Sequence, residues 1–96
     1  MSPINKKKLD QLRIKLDILD NELLKLIKKR SNLVNEVLKV KIYKKEIIDH
    51  KRINFILKKI KNKSNQLKID PKITNRIWKN MIWSFINYEK RNLKKK

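Results

Sequence analysis

Ninety-six residues fit one domain, and 28 Lys plus Arg against 9 Asp plus Glu give a net charge of +19. The absence of cysteine excludes disulfides and thiolate chemistry, and the absence of glycine excludes the P-loop and the dinucleotide fingerprint. A single histidine, His50, makes neither a histidine metal centre nor a serine triad, so no metal and no cofactor are expected.

No apolar run reaches the ~18 residues that a membrane span needs. The opening Met1-Ser2-Pro3-Ile4-Asn5-Lys6 lacks the apolar region of a signal peptide, so the chain reads as soluble and cytoplasmic. The charge has two readings: a solvated lysine coat, or a face for a polyanion such as nucleic acid. The excess is mostly lysine spread over every segment, in a chain also rich in Ile and Asn, which favours the coat and no specific nucleic-acid partner. Arg13, Arg30, Arg52, Arg76 and Arg91 are then the scarce cations.

Residues 1–5 read as a tail. A first helix is expected from about Lys6 to Lys44, because Leu9, Leu12, Leu16, Leu19, Leu23, Leu26, Leu33, Val37 and Val40 recur in alternating steps of three and four. At 1.5 Å per residue it spans roughly 58 Å, and the short remainder of the chain cannot cover its seam. An oligomer is therefore expected. Lys45 to Ile48 read as a loop. Asp49 is placed to cap a second helix, His50 to about Lys63, with Ile53, Ile56, Leu57 and Ile60 at helical spacing. The polar run Asn62-Lys63-Ser64-Asn65-Gln66 weakens it. Asp70-Pro71 opens a third helix, whose apolar face holds Ile73, Ile77, Trp78, Met81, Ile82, Phe85 and Ile86. It frays near Arg91, and Lys94-Lys95-Lys96 is a loose basic end. The class is all-α: three helices, the first very long, in a single domain over residues 1–96.

Two residues break their own pattern. The seam calls for an apolar side chain at position 30 and has Arg30, which is costly unless an anion meets it. That anion is a ligand, or an acid on a partner helix. Arg30 and Lys41 are 11 residues apart on the expected helix, about 20° from eclipsed and about 16 Å along the axis, so both can converge on a small ligand. Arg13 lies about 25 Å and roughly 100° from Arg30, so it serves a second site or another protomer's site. On the third helix, Trp78, Ile82, Phe85 and Glu89 fall at i, i+4, i+7 and i+11, which places a carboxyl on an apolar stripe. Glu89 otherwise lies at a fraying end and pairs with a lysine.

Leu12-Arg13, Leu19-Asp20, Glu22-Leu23-Leu24, Leu26-Ile27, Lys29-Arg30, Leu33-Val34, Glu36-Val37, Lys39 and Lys41 resemble the first helix of the all-helical chorismate mutases. Asp49-His50-Lys51-Arg52 is similar to the Asp-x-x-Arg opening of their second helix, and Ile69-Asp70-Pro71, Ile77-Trp78, Met81-Ile82 and Glu89 to their third. The resemblance implies an intertwined homodimer that rearranges chorismate, a dianion, to prephenate with no nucleophile, metal or cofactor. Arg30 and the partner protomer's Arg13 would clamp one carboxylate, and Arg52 would orient the other. Lys41 and Glu89 would meet the ether oxygen, and the Asp49 main chain would lie near the hydroxyl.

Two positions depart from the family. Ile53 stands where a glutamate usually binds the ring hydroxyl, and Phe85 stands where a small serine is common, with Ser84 adjacent. An apolar residue at the Ile53 position also resembles the isochorismate-pyruvate lyases, relatives with the same fold, which is the alternative enzyme reading. A basic helical nucleic-acid-binding dimer is the non-enzyme alternative. It leaves the Arg30, Lys41 and Glu89 pattern unexplained.

Overall fold

The computed structural model describes residues 2–41 and 43–93. Among these the protein has three α-helices, α1 (Pro3–Val40), α2 (His50–Gln66) and α3 (Pro71–Asn92), a 3-10 turn at Lys44–Glu46, and no strand. The all-α class with a very long first helix is therefore the observed one. The basic end Lys94-Lys95-Lys96 lies outside the described residues. The chain divides into two compact units, one ending at Leu33 and the other beginning at Val34.

The first unit is the bulk of α1. The helix starts at Pro3, earlier than expected, because Ser2 and Pro3 are a cap and a first-turn proline and not a tail. The Ser2 hydroxyl accepts from the Asn5 N–H at 3.2 Å, the Ser2 carbonyl accepts from the Lys6 N–H at 2.9 Å, and Pro3 fills a position that needs no N–H. No residue of α1 is buried. Its seam leucines are among the most exposed apolar side chains in the protein, with Leu16 at 57%, Leu19 at 60% and Leu33 at 66%. An apolar stripe of this length left in water marks a binding face.

The second unit holds the end of α1, the turn, α2 and α3. The first helix ends at Val40 and not at Lys44. Tyr43 is extended, and its N–H donates to Glu46 Oε1 at 3.0 Å across the 3-10 turn. This reversal delivers Ile47 to the interior at 3% exposure, so the expected Lys45–Ile48 loop supplies part of the core. Ile47, Ile82, Ile86 and Leu93 are buried together, with Leu38, Ile48, Ile53, Ile56, Leu57 and Trp78 packed around them. Burying one such aliphatic side chain contributes about 1.5 to 3 kcal/mol.

α2 and α3 pack against each other. α2 runs through the polar stretch to Gln66 because tertiary structure overrides local propensity there. The Ser64 hydroxyl lies 2.6 Å from both the Ile60 carbonyl and the Thr74 hydroxyl, and both hydroxyl residues are buried. The helix then closes in a Schellman turn: Ile69 N–H donates to the Ser64 carbonyl and Lys68 N–H to the Asn65 carbonyl. The turn needs a left-handed residue, and in a chain without glycine Lys68 takes it, at φ 58°. Asp70 then caps α3 through the Lys72 N–H. The tight hairpin brings the last turns of α3 back beside the end of α1.

Candidate active site

Lys41 follows the last residue of α1, but its N–H still donates to the Val37 carbonyl at 3.1 Å, so helical backbone holds it. Its ammonium donates to both oxygens of Glu89, at 3.1 and 3.3 Å. Both side chains are well covered, with 18% of Lys41 and 8% of Glu89 exposed. Glu89 shares its α3 face with Ile82 and Ile86, both buried. A carboxylate in that setting is strongly unfavourable without a partner, and so is the ammonium opposite it, so each group requires the other.

A second tie holds the same elements together. Tyr88 Oη donates to Asn35 Oδ1 at 2.7 Å, which joins the last turns of α1 to α3 one residue before Glu89.

Asp49 works twice at the start of α2. Its Oδ1 accepts from the Arg52 N–H at 3.0 Å, and its carbonyl accepts from the Ile53 N–H at 3.0 Å. Asp49 also lines a cavity of about 540 Å³, together with Lys41, Lys45, Glu46, Ile48, His50 and Lys51. Lys41 thus belongs both to the Glu89 pair and to the cavity wall. The lining carries three lysines against the two acids Glu46 and Asp49, a small positive excess.

The remaining site residues are placed as follows. Arg52 is exposed on the first turn of α2, its guanidinium carbon 5.5 Å from the centre of the Phe55 ring. Ile53 is half-buried, with part of its side chain packed on the core. Phe85 is half-buried on α3. Arg13 is exposed and Arg30 half-buried on the portion of α1 that ends at Leu33.

A family model for chorismate mutase type II matches residues 12–90 of the chain. The chain belongs to the chorismate mutase type II family. The matched span contains every residue named above as a site candidate, from Arg13 to Glu89. No curated protein and no solved structure matches the chain. Membership of the chorismate mutase type II family supports chorismate mutase activity in general, an isomerase-type reaction, and implies chorismate as the substrate and the shikimate pathway as the context. No helix among the described residues is long and apolar enough to cross a membrane.

Seen within this family, some participants were not legible beforehand. Asn35 and Tyr88 form their tie across a separation of 53 positions, and neither stands out on its own helix. Lys45 and Lys51 look like two more members of the lysine coat until the turn at Lys44–Glu46 folds them onto the cavity. Phe55 departs from the core periodicity of α2, and that departure was the one available signal.

Proposed function

We propose that the chain is a chorismate mutase that converts chorismate to prephenate by an intramolecular Claisen rearrangement, in phenylalanine and tyrosine biosynthesis. It acts as a cytoplasmic, intertwined homodimer of single-domain chains. The observation that carries this reading is the covered Lys41–Glu89 pair, whose Lys41 also lines a cavity at the start of α2, in a chorismate mutase type II chain.

The reaction breaks an ether C–O bond and forms a C–C bond within one molecule, so the protein has two tasks. It holds the folded conformer, and it stabilises negative charge growing on the ether oxygen. Arg30 and the Arg13 of the partner subunit clamp one carboxylate, since a guanidinium binds a carboxylate in bidentate fashion and an ammonium does not. Arg52 orients the second carboxylate. An ammonium has three N–H donors, and Glu89 accepts two from Lys41, which leaves one for the ether oxygen. The Asp49 main chain lies near the ring hydroxyl, with Ile53 and Phe85 bounding the ring. No cofactor or metal enters this scheme, and the lysine excess is a solvated coat without a specific nucleic-acid partner.

The exposed seam of α1 supports the dimer. Leu12, Leu16, Leu19, Leu23 and Leu26 are each more than half exposed in the single chain. Sedimentation at micromolar concentration is expected to give a dimer, and a well-folded monomer would sink this part of the proposal.

Ile53 favours one second reading. With an apolar residue at this place, the chain is an isochorismate-pyruvate lyase of the same fold. A buried substrate hydroxyl left unpaired there costs typically about 1 to 3 kcal/mol. Purified protein is supplied separately with chorismate and isochorismate and the products are identified. Prephenate from chorismate is expected. Pyruvate and salicylate from isochorismate, with no prephenate from chorismate, decide for the lyase.

A further inference from the structure

α2 carries one aromatic ring, and it faces water. Phe55 is 56% exposed, while Ile53, Ile56 and Leu57 of the same helix pack on the core. Burial does not account for it. Its neighbours are cations: the Arg52 guanidinium carbon lies 5.5 Å from the ring centre and the Lys59 ammonium 6.0 Å. These residues sit one turn before and one turn after Phe55, so they approach the ring from opposite directions along the helix.

The Arg52 side chain has no carboxylate partner among the described residues. Its backbone N–H is fixed by Asp49, which lines the cavity beside Lys41. A guanidinium held over a ring by its charge can lay its flat face on the ring and keep its N–H edge for a carboxylate. Stacking also removes rotamer freedom from a long side chain before the ligand arrives.

We propose that Phe55 is a positioning residue that stacks the Arg52 guanidinium and holds its N–H edge ready for a substrate carboxylate. The proposal rests on the reading of the chain as an enzyme of a chorismate-like dianion. Phe55 touches no reacting atom, so it acts on binding and not on the rearrangement.

The test uses the full chain and the substitutions Phe55→Leu and Phe55→Tyr. Leucine keeps the apolar bulk and loses the ring face; tyrosine keeps the face. In the free protein the Arg52 Nε–H resonance is expected to carry a ring-current shift that Phe55→Leu abolishes and Phe55→Tyr retains. In steady-state kinetics on the substrate the native chain accepts, Phe55→Leu is expected to raise KM roughly 2- to 5-fold with kcat and Tm unchanged, as for an exposed cation–π contact. Phe55→Tyr restores the native KM. In an Arg52→Met background, Phe55→Leu raises KM no further. An Arg52 resonance that Phe55→Leu leaves in place overturns the proposal. So does an unchanged KM, or a loss of kcat that follows a loss of folded protein. A native chain that turns over neither chorismate nor isochorismate fails at an earlier step and overturns the enzyme reading itself, before any variant is compared.

Discussion

Arg30→Ala is expected to abolish chorismate turnover, by at least about 100-fold in kcat/KM, while the protein stays folded. Arg30 occupies a seam position of α1 that the 3-4 ladder reserves for an apolar residue, and it is half-buried there. A guanidinium at such a place is retained for what it binds, since a leucine would serve a purely structural seam better. On the proposed reading alanine removes a carboxylate clamp and leaves the helix formed. Circular dichroism and sedimentation report the fold, and the rate of chorismate loss reports the site. If the variant unfolds while activity per folded molecule survives, Arg30 is structural.

The same variant tests which chain supplies Arg13. Arg13→Ala alone is expected to be similarly inactive. Mixed and allowed to exchange subunits, the two variants form mixed dimers in which one site carries both arginines and the other carries neither. With random exchange at equal concentration about a quarter of native activity returns, because half the dimers are mixed and each has one complete site. No recovery, with exchange verified independently, means that Arg13 does not act across the dimer.

How far the sequence reveals these features depends on the range of the force that sets each one. The start of α3 follows from Asp70 and Pro71 alone, since a cap and a first-turn proline act within one turn of backbone. Ser2 and Pro3 carry the same signal in the same order, and the helix obeys it at the other end of the chain. The 3-4 ladder gives α1 and its unsatisfied seam, because periodicity is a local property. The end of α2 is not local. Its polar residues weaken the helix individually, and the bond between Ser64 and Thr74, ten positions away, keeps it going. The end of α1 is set by the burial of Ile47, which no window on the helix itself contains.

The site divides in the same way. Glu89 is visible as a carboxyl on an apolar stripe, and it is indeed buried on that face. Glu89 does pair with a lysine, but buried within α3 and not at a fraying end. That its partner is Lys41, and not one of the many lysines nearer in sequence, is a property of the α2–α3 hairpin returning α3 to the end of α1. Among the described lysines, Lys41 is set apart by what surrounds it, since it is largely covered and the others are exposed.

Glu89→Gln separates the two things that Glu89 can do. In the free protein its carboxylate accepts from Lys41 through both oxygens and so anchors the ammonium. An ionised carboxylate has no hydrogen to give, so it cannot assist an ether oxygen that is gaining negative charge; the protonated acid can. If Glu89 contributes as a donor, a side chain that always carries a donor at this place keeps the rate. Glutamine keeps nearly the same shape, retains an oxygen for Lys41 and carries permanent N–H donors at any pH. Its turnover is expected to stay at or above the native rate, measured on the same substrate at neutral pH. Glu89→Ala lacks both functions: Lys41 faces a cavity without its acceptor, and breaking such a covered pair costs about 3 to 5 kcal/mol. That variant should lose both stability and rate, so the glutamine variant, tested for an unchanged fold beside it, isolates the donor role. If the glutamine variant keeps its fold and loses turnover, the donor role is absent, and Glu89 serves the site as the charged anchor of Lys41.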